Sequence, residues 1–233
     1  AALSTVQLAA LTTSNVAGVT SSQLSVVNTS SIARLETADV AVLTSAQVPG
    51  LTTGQMGQLT SSQVGVLTTA AFANLNSSQL VALSTNNVLG VTSDQLSVVS
   101  TSNISRLETA DVAVLTSVQV QGLTTAQVAQ LTSSQLGVFN TAAVANLNST
   151  QLIAVTTTNI AGLTTAQLGA ITPANAATLE TADVAVLSSV QVAGFTTAQV
   201  DQLSSSQVGA LNTSAFAALS TVQLAALTTS NVA

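Results

Sequence analysis

The sequence predicts an all-α solenoid built from very short helices, one for each eight-residue repeat. An apolar residue recurs every eight residues from Leu3 to Leu227, and a second apolar residue follows each one five places later. No insertion or deletion breaks this register. Such periodicity is typical of arrays in which each unit buries its apolar face against its neighbours. We number the positions of each octad from the first apolar residue.

The middle of each octad carries the signals of a helix start. In the octad 123–130, Thr124 and Gln127 form the S/T-x-x-E/Q pattern of a capping box. Leu123 and Val128 then occupy the two positions of a hydrophobic staple. Position two is Ser, Thr or Asn in nearly every octad, and these are good N-cap residues. We therefore expect a helix to begin at position three.

Proline and glycine support this frame. Pro173 falls at position three, the first helical residue, where proline is favoured. Glycines recur at position eight, and Pro49 precedes one of them as a stop signal. We expect these glycines to end helices in a left-handed conformation. They are Gly18, Gly50, Gly90, Gly122, Gly162 and Gly194.

One long helix does not fit the pattern. Eight residues advance an apolar stripe by about 80° per repeat, so the stripe would wind around the helix. A β-solenoid is the alternative, because Thr, Val and Ser favour strands. Against it, positions one and six would point to opposite faces of a straight strand. We expect positions one and six to point inward together, and three octads to form one turn.

A longer period lies over the first. The segment from Arg34 to Leu43 returns 72 residues later at Arg106 and again at Thr178. This predicts one continuous array over 1–233, with long repeats at 3–74, 75–146 and 147–218 and a partial repeat at 219–233. Residues 1–17 and 217–233 are identical. We expect the chain to be a window of a longer array.

The amino-acid composition limits the kinds of partner that the chain can bind. Charged residues make up only 4% of the chain, with a net charge of −6. Nucleic acid is excluded as a partner, because phosphate binding needs clustered Lys and Arg. Membrane insertion is not expected, because every octad interrupts its apolar residues with Ser, Thr and Gln. An uncharged polar surface favours self-association with neighbouring copies of the same array.

Catalysis is not expected. The chain has no His, Cys, Tyr or Trp, and both of its cationic residues are Arg. General-base histidine, thiolate and Schiff-base lysine chemistry are therefore all absent. No phosphate-binding loop or zinc spacing is present either, so we expect no cofactor.

One acidic motif recurs in the three long repeats. It places Glu at position two and Asp at position five, so that acids replace the residues of the capping box. The helix dipole would stabilise acids there. The functional alternative is a weak calcium site, although two carboxylates are too few ligands. The residues are Glu36, Asp39, Glu108, Asp111, Glu180 and Asp183.

Octads such as Leu163-Thr164-Thr165-Ala166-Gln167-Leu168-Gly169-Ala170 resemble those of very large repetitive bacterial surface and secreted proteins. These proteins are grouped with giant adhesins and biofilm-matrix proteins. The resemblance covers the whole chain and implies export, a cell-surface or matrix location, and a role as a stalk or filament. It also implies a cell-surface or matrix ligand outside this segment. No calcium-binding nonapeptide or adhesive domain occurs in the segment.

Two functions follow from the sequence. The first is a structural extracellular repeat protein that forms a stalk, fibre or filament for adhesion or matrix assembly. The second is a ligand-binding module in which the Thr/Ser rows bind ice or glycans, or the Glu/Asp motif binds calcium. A bare stalk would be inert towards all of these ligands.

Overall fold

The computed structural model describes residues 5–232, and within them all side chains except those of Thr5 and Ala9. Leu3, the first residue of the register, lies outside the described residues. The chain divides into two compact units, Ala1–Leu115 and Thr116–Ala233. The boundary follows position one of an octad inside the second long repeat, 75–146.

Nearly every octad contributes one α-helix of four to six residues, and three octads carry a 3-10 helix (η) instead. The first unit contains α1 (Thr5–Ala9), α2 (Thr13–Val16), α3 (Ser21–Ser25), η1 (Thr29–Arg34), α4 (Thr37–Ala41), η2 (Val48–Gly50), α5 (Thr53–Gln58), α6 (Ser61–Gly65), α7 (Thr69–Phe72), α8 (Ser77–Val81), α9 (Thr85–Val88), α10 (Ser93–Ser97), α11 (Thr101–Ile104) and α12 (Thr109–Ala113).

The second unit continues the same series. It contains α13 (Ser117–Gln121), α14 (Thr125–Gln130), α15 (Ser133–Val138), α16 (Thr141–Ala145), α17 (Ser149–Ile153), η3 (Ile160–Gly162), α18 (Thr165–Ala170), α19 (Pro173–Ala176), α20 (Thr181–Val186), α21 (Ser189–Val192), α22 (Thr197–Gln202), α23 (Ser205–Ala210), α24 (Thr213–Ala217), α25 (Thr221–Ala225) and α26 (Thr229–Val232). No strand occurs between residues 5 and 232. The prediction of an all-α array of very short helices is confirmed, and the β-solenoid is excluded.

The octad frame is also confirmed in its details. Thr124 is extended at the N-cap (φ −72°, ψ 158°), α14 follows at position three, and Leu131 is extended again. The Thr124 hydroxyl accepts a hydrogen bond from the Gln127 amide at 3.2 Å. The Gln127 side chain accepts one from the Thr124 amide at 2.7 Å. Pro173 occupies the first helical turn of α19, where its missing N–H leaves no helix bond unmade.

Both apolar positions point inward in most octads, as predicted, but Phe216, Leu224 and Val232 at position six are exposed. In the octad of α5, Leu51 at position one is 3% exposed and Met56 at position six is fully buried. The short helix between them turns both side chains to the same side of the chain. Position three stays at or near the surface, where Thr53 is exposed.

Packing contacts and hydrogen bonds join octads that are three and four places apart in the chain. Within each unit, helices three octads apart pack together, as α5 does on η1 and α23 on α20. Side-chain hydrogen bonds reach further, to residues 28 and 31 positions earlier. The expectation of three octads per turn therefore agrees with the helix contacts. The hydrogen bonds of Gln55 reach the junction between two octads, since Leu24 is position six of one octad and Val27 is position one of the next.

The expectation of left-handed glycines was wrong. No glycine within residues 5–232 has a positive φ, and Gly122 is helical (φ −75°, ψ −13°). Close packing explains Gly50, Gly90, Gly162 and Gly194 instead, whereas a Cβ on Gly18 would meet only the Asn15 carbonyl oxygen at 3.5 Å. A Cβ on Gly90 would lie 1.8 Å from the Ser61 carbonyl oxygen, and one on Gly162 would lie 1.9 Å from that of Ser133. Glycine at position eight therefore lets one coil approach the start of a helix on the preceding coil.

Candidate functional site

The residue at position five connects one coil to the preceding coil. Gln55 is fully buried. Its Oε1 accepts from the Thr52 amide at 2.8 Å, which completes the capping box. Its Nε2 donates to the carbonyl oxygens of Leu24 and Val27, both at 2.8 Å. One side chain therefore caps its own helix and joins it to the coil before.

The same arrangement recurs in the second unit. Nε2 of Gln167 donates to the carbonyls of Leu136 at 3.1 Å and Phe139 at 2.6 Å, again 31 and 28 residues earlier. We call the set of position-five side chains with this double bond the glutamine ladder. Among its members are Gln47, Gln55, Gln63, Gln79, Gln95, Gln151, Gln167, Gln191, Gln199, Gln207 and Gln223.

Asparagine at position five keeps the same role with a shorter side chain. Oδ1 of Asn159 accepts from the Thr156 amide at 2.8 Å. Its Nδ2 donates to Val128 at 3.0 Å and to Leu131 at 3.2 Å. The shorter amide is therefore still long enough to reach the preceding coil.

Aspartate at position five breaks the ladder. Asp39, Asp111 and Asp183 are each 2% exposed, and Oδ2 of each has no hydrogen-bond partner. Burial, and secondly the charge of Glu108, raises the pKa of Asp111 to about 6. Burial and Glu180 likewise raise the pKa of Asp183 to about 6. The pKa of Asp39 is raised by burial and by Glu36.

The acidic motif does not behave as the sequence predicted. Glu36, Glu108 and Glu180 do occupy the N-cap, but none of them accepts a side-chain capping bond. The expected acidic capping box was therefore wrong at all three places. The glutamates are exposed while the aspartates are buried, so the two carboxylates of a pair occupy different environments. The described residues contain no group of three or more acidic, His or Cys side chains able to hold a metal ion.

Sequence reasoning missed the burial of position five. The capping box accounts for Gln there, and a capping box accepts Glu equally well. Yet no octad has Glu at position five. The avoidance of Glu was the available signal, because an amide, unlike an ionised carboxylate, can accept from the helix start and also donate to another coil.

The hydroxyl rows at position two are engaged in the structure. The hydroxyls of Thr52, Thr60 and Ser188 each accept a backbone N–H bond at the start of their helix. This bonding explains why Ser and Thr recur there without any ligand. No helix among the described residues is long and apolar enough to cross a membrane.

Comparison with known proteins agrees with the period of 72 residues. The family model of the ALTTAQ repeat matches residues 32–69, 104–141 and 176–213. The chain is a tandem-repeat protein. The sequence Leu-Thr-Thr-Ala-Gln makes up five of the six residues in the name of this repeat. It occurs at Leu123–Gln127 and at Leu163–Gln167. A search of curated proteins gave no match to the chain.

Proposed function

We propose that this chain is a structural, non-catalytic extracellular repeat protein that forms a stalk, fibre or filament at a bacterial surface or in a matrix. The observation that carries the proposal is the glutamine ladder. The same bonds recur at 28 and 31 residues in both units, for example from Gln79 and from Gln191. Because each coil makes the same contact with the coil before it, further coils can be added with the same kind of interface.

The core supports the same function. Leu, Val and Ile at positions one and six are buried along each unit, as in Val64 and Leu67 or Val184 and Leu187. Each short helix is far below the length at which a helix is stable alone. The coils therefore stabilise one another, which is typical of arrays that grow by repetition.

The surface supports association between copies. The exposed positions carry mostly Ser, Thr, Ala and Asn, and the whole chain has two cationic and eight acidic residues. A surface with so little charge offers little electrostatic repulsion to a neighbouring copy. We propose that arrays associate side by side through this surface, and that any cell-surface or matrix ligand is bound outside this segment.

The length of the particle tests the structural function. Arrays of three, six and nine 72-residue repeats would be purified and measured by negative-stain electron microscopy and small-angle X-ray scattering. We expect the longest dimension to increase by a constant amount per repeat. A particle that stays compact and nearly isometric as repeats are added would contradict the proposal.

Antibody labelling of intact cells tests the proposed extracellular location. Antibodies against the chain should label intact producing cells or their matrix without permeabilisation. Labelling that appears only after permeabilisation would contradict an extracellular location. The structural function would still be tested separately by the length measurement.

A further inference from the structure

The three buried aspartates at position five are the least satisfied polar groups of the described chain. Their Oδ2 atoms are the only buried side-chain polar atoms without a hydrogen-bond partner in the described part of the chain. All three occupy the position at which other octads hold an amide that bonds the preceding coil. Leaving a buried polar atom unpaired destabilises the fold, so a group that pairs with Oδ2 would stabilise the chain.

Asparagine shows where that oxygen lies, because Asn and Asp have the same shape. In Asn87, Oδ1 accepts from the Ser84 amide at 2.6 Å and Nδ2 donates to the Met56 carbonyl at 3.0 Å. An aspartate held in the same orientation would place its second oxygen where Nδ2 lies in Asn87. For Asp111 the carbonyls 31 and 28 residues earlier belong to Leu80 and Leu83. For Asp183 they belong to Leu152 and Val155.

We propose that Asp39, Asp111 and Asp183 are proton-binding sites, and that the protonated carboxyl joins successive coils by donating its O–H to a backbone carbonyl of the preceding coil. In the ionised state the same oxygen faces carbonyl lone pairs and has no proton to donate. Each long repeat then carries one coil contact that forms in acid and weakens at neutral pH. This inference does not depend on the proposed function.

The surroundings of Asp111 favour a proton over a larger ligand. Asp111 borders a gap lined otherwise by apolar side chains, among them Leu80, Leu83, Val88 and Leu115. The gap has a volume of about 10 Å³, which is the lower limit for a single water molecule. A hydrated cation does not fit there.

The helices that pack against α4, α12 and α20 bring no charged group towards the three aspartates. Helix α12 packs on α9, α4 packs on α2 and α6, and α20 packs on α23. None of those partner helices contains a titratable residue, and neither do α1, α8 and α17, which contain the carbonyls 31 residues before the three aspartates. The remaining charges near the aspartates lie in their own segments. They are Glu36, Glu108, Glu180, Arg34 and Arg106.

The sign of the pH effect follows from the raised pKa values. The pKa of Asp111 and Asp183 is about 6 in the folded chain and 3.8 as the ordinary value. Between these values the folded state binds more protons than the unfolded state. The stabilisation is therefore complete below about pH 4 and is lost as the pH rises through about 6.

The test compares the full chain with the triple variant D39N/D111N/D183N. Asparagine supplies a permanent donor at the same place. At pH 7.5 we expect the triple variant to unfold at a temperature higher by at least roughly 5 °C. At pH 4 we expect the two proteins to unfold at nearly the same temperature. The Cγ chemical shifts of Asp111 and Asp183 should titrate near pH 6 in NMR spectra.

Two control variants separate the sites from general charge effects. Asp94→Asn removes an exposed carboxylate of α10 and should leave the pH profile unchanged. Glu108→Gln removes a charge that raises the pKa of Asp111, so the Asp111 titration should move to lower pH.

Three results would overturn the proposal. One is a triple variant no more stable than the original chain at pH 7.5, as expected if bridging water already satisfies the carboxylates. Another is Cγ shifts that titrate near pH 4. The third is a stabilisation by CaCl₂ at pH 7.5 that the triple variant lacks, because this would make a cation the occupant.

Discussion

Nε2 of Gln55 lies 2.8 Å from the carbonyl oxygen of Leu24, which is 31 residues earlier in the chain. The bond joins two coils and lies out of contact with solvent, since Gln55 is fully buried. A glutamate at this position keeps the acceptor for the Thr52 amide but loses both donated bonds. We therefore expect Gln55→Glu to destabilise the chain by roughly 3 kcal/mol at pH 7.5, as a buried unpaired charge does.

Acid should restore much of that loss. Protonation of the carboxyl group introduced by Gln55→Glu returns a donor to the site, so the difference from the original chain should shrink as the pH is lowered towards 4. Chemical denaturation at a series of pH values measures this. Gln58→Glu is the matched control, because Gln58 is an exposed residue of the same helix. If the two substitutions had equal and pH-independent effects on stability, Gln55 would not join the coils as described.

The N-cap hydroxyl of Thr124 gives a second prediction. It accepts from the Gln127 amide at 3.2 Å, and Thr124 itself is exposed. Thr124→Ala removes that acceptor and little else, so we expect a loss of about 1 kcal/mol. This corresponds to a fall of about 2–4 °C in the unfolding temperature of a chain of this size.

Thr125→Ala is the control for the cap. Thr125 is the neighbouring exposed threonine, at the first position of α14. Its substitution should change the unfolding temperature by no more than a fraction of the effect at Thr124. Equal effects at the two threonines would mean that the hydroxyl bond at the N-cap does not stabilise the helix.

Local features of the fold could be predicted from the sequence because their causes lie within one octad. The capping box at Thr124 and Gln127 spans four residues, and the inward positions of Leu51 and Met56 follow from one short helix between them. Pro173 is favoured at its place by its own backbone geometry. None of these features depends on which coil packs against which.

The contacts between coils could not be predicted in the same way. In a chain with a strict period of eight, every position has an equivalent residue 24 and 32 places away, so the pattern is the same for either coil length. Gln55 makes bonds that span 28 and 31 residues, whereas the second oxygen of Asp111, at the same octad position, has no partner. Only the avoidance of Glu at position five carried that information in the sequence.

Glycine at position eight gives the last prediction. A Cβ on Gly90 would lie 1.8 Å from the Ser61 carbonyl oxygen and 2.4 Å from its carbon, both of them backbone atoms that cannot rotate away. Gly90→Ala therefore forces the two coils apart, and we expect it to cost about 2–3 kcal/mol as overpacked cores do. Gly209→Ala is the control, because a Cβ there meets nothing within 4 Å and Gly209 lies inside α23. Alanine in that helix should leave stability unchanged or raise it by up to about 1 kcal/mol. Thermal unfolding of both variants would refute the close-packing explanation if Gly90→Ala proved as stable as Gly209→Ala.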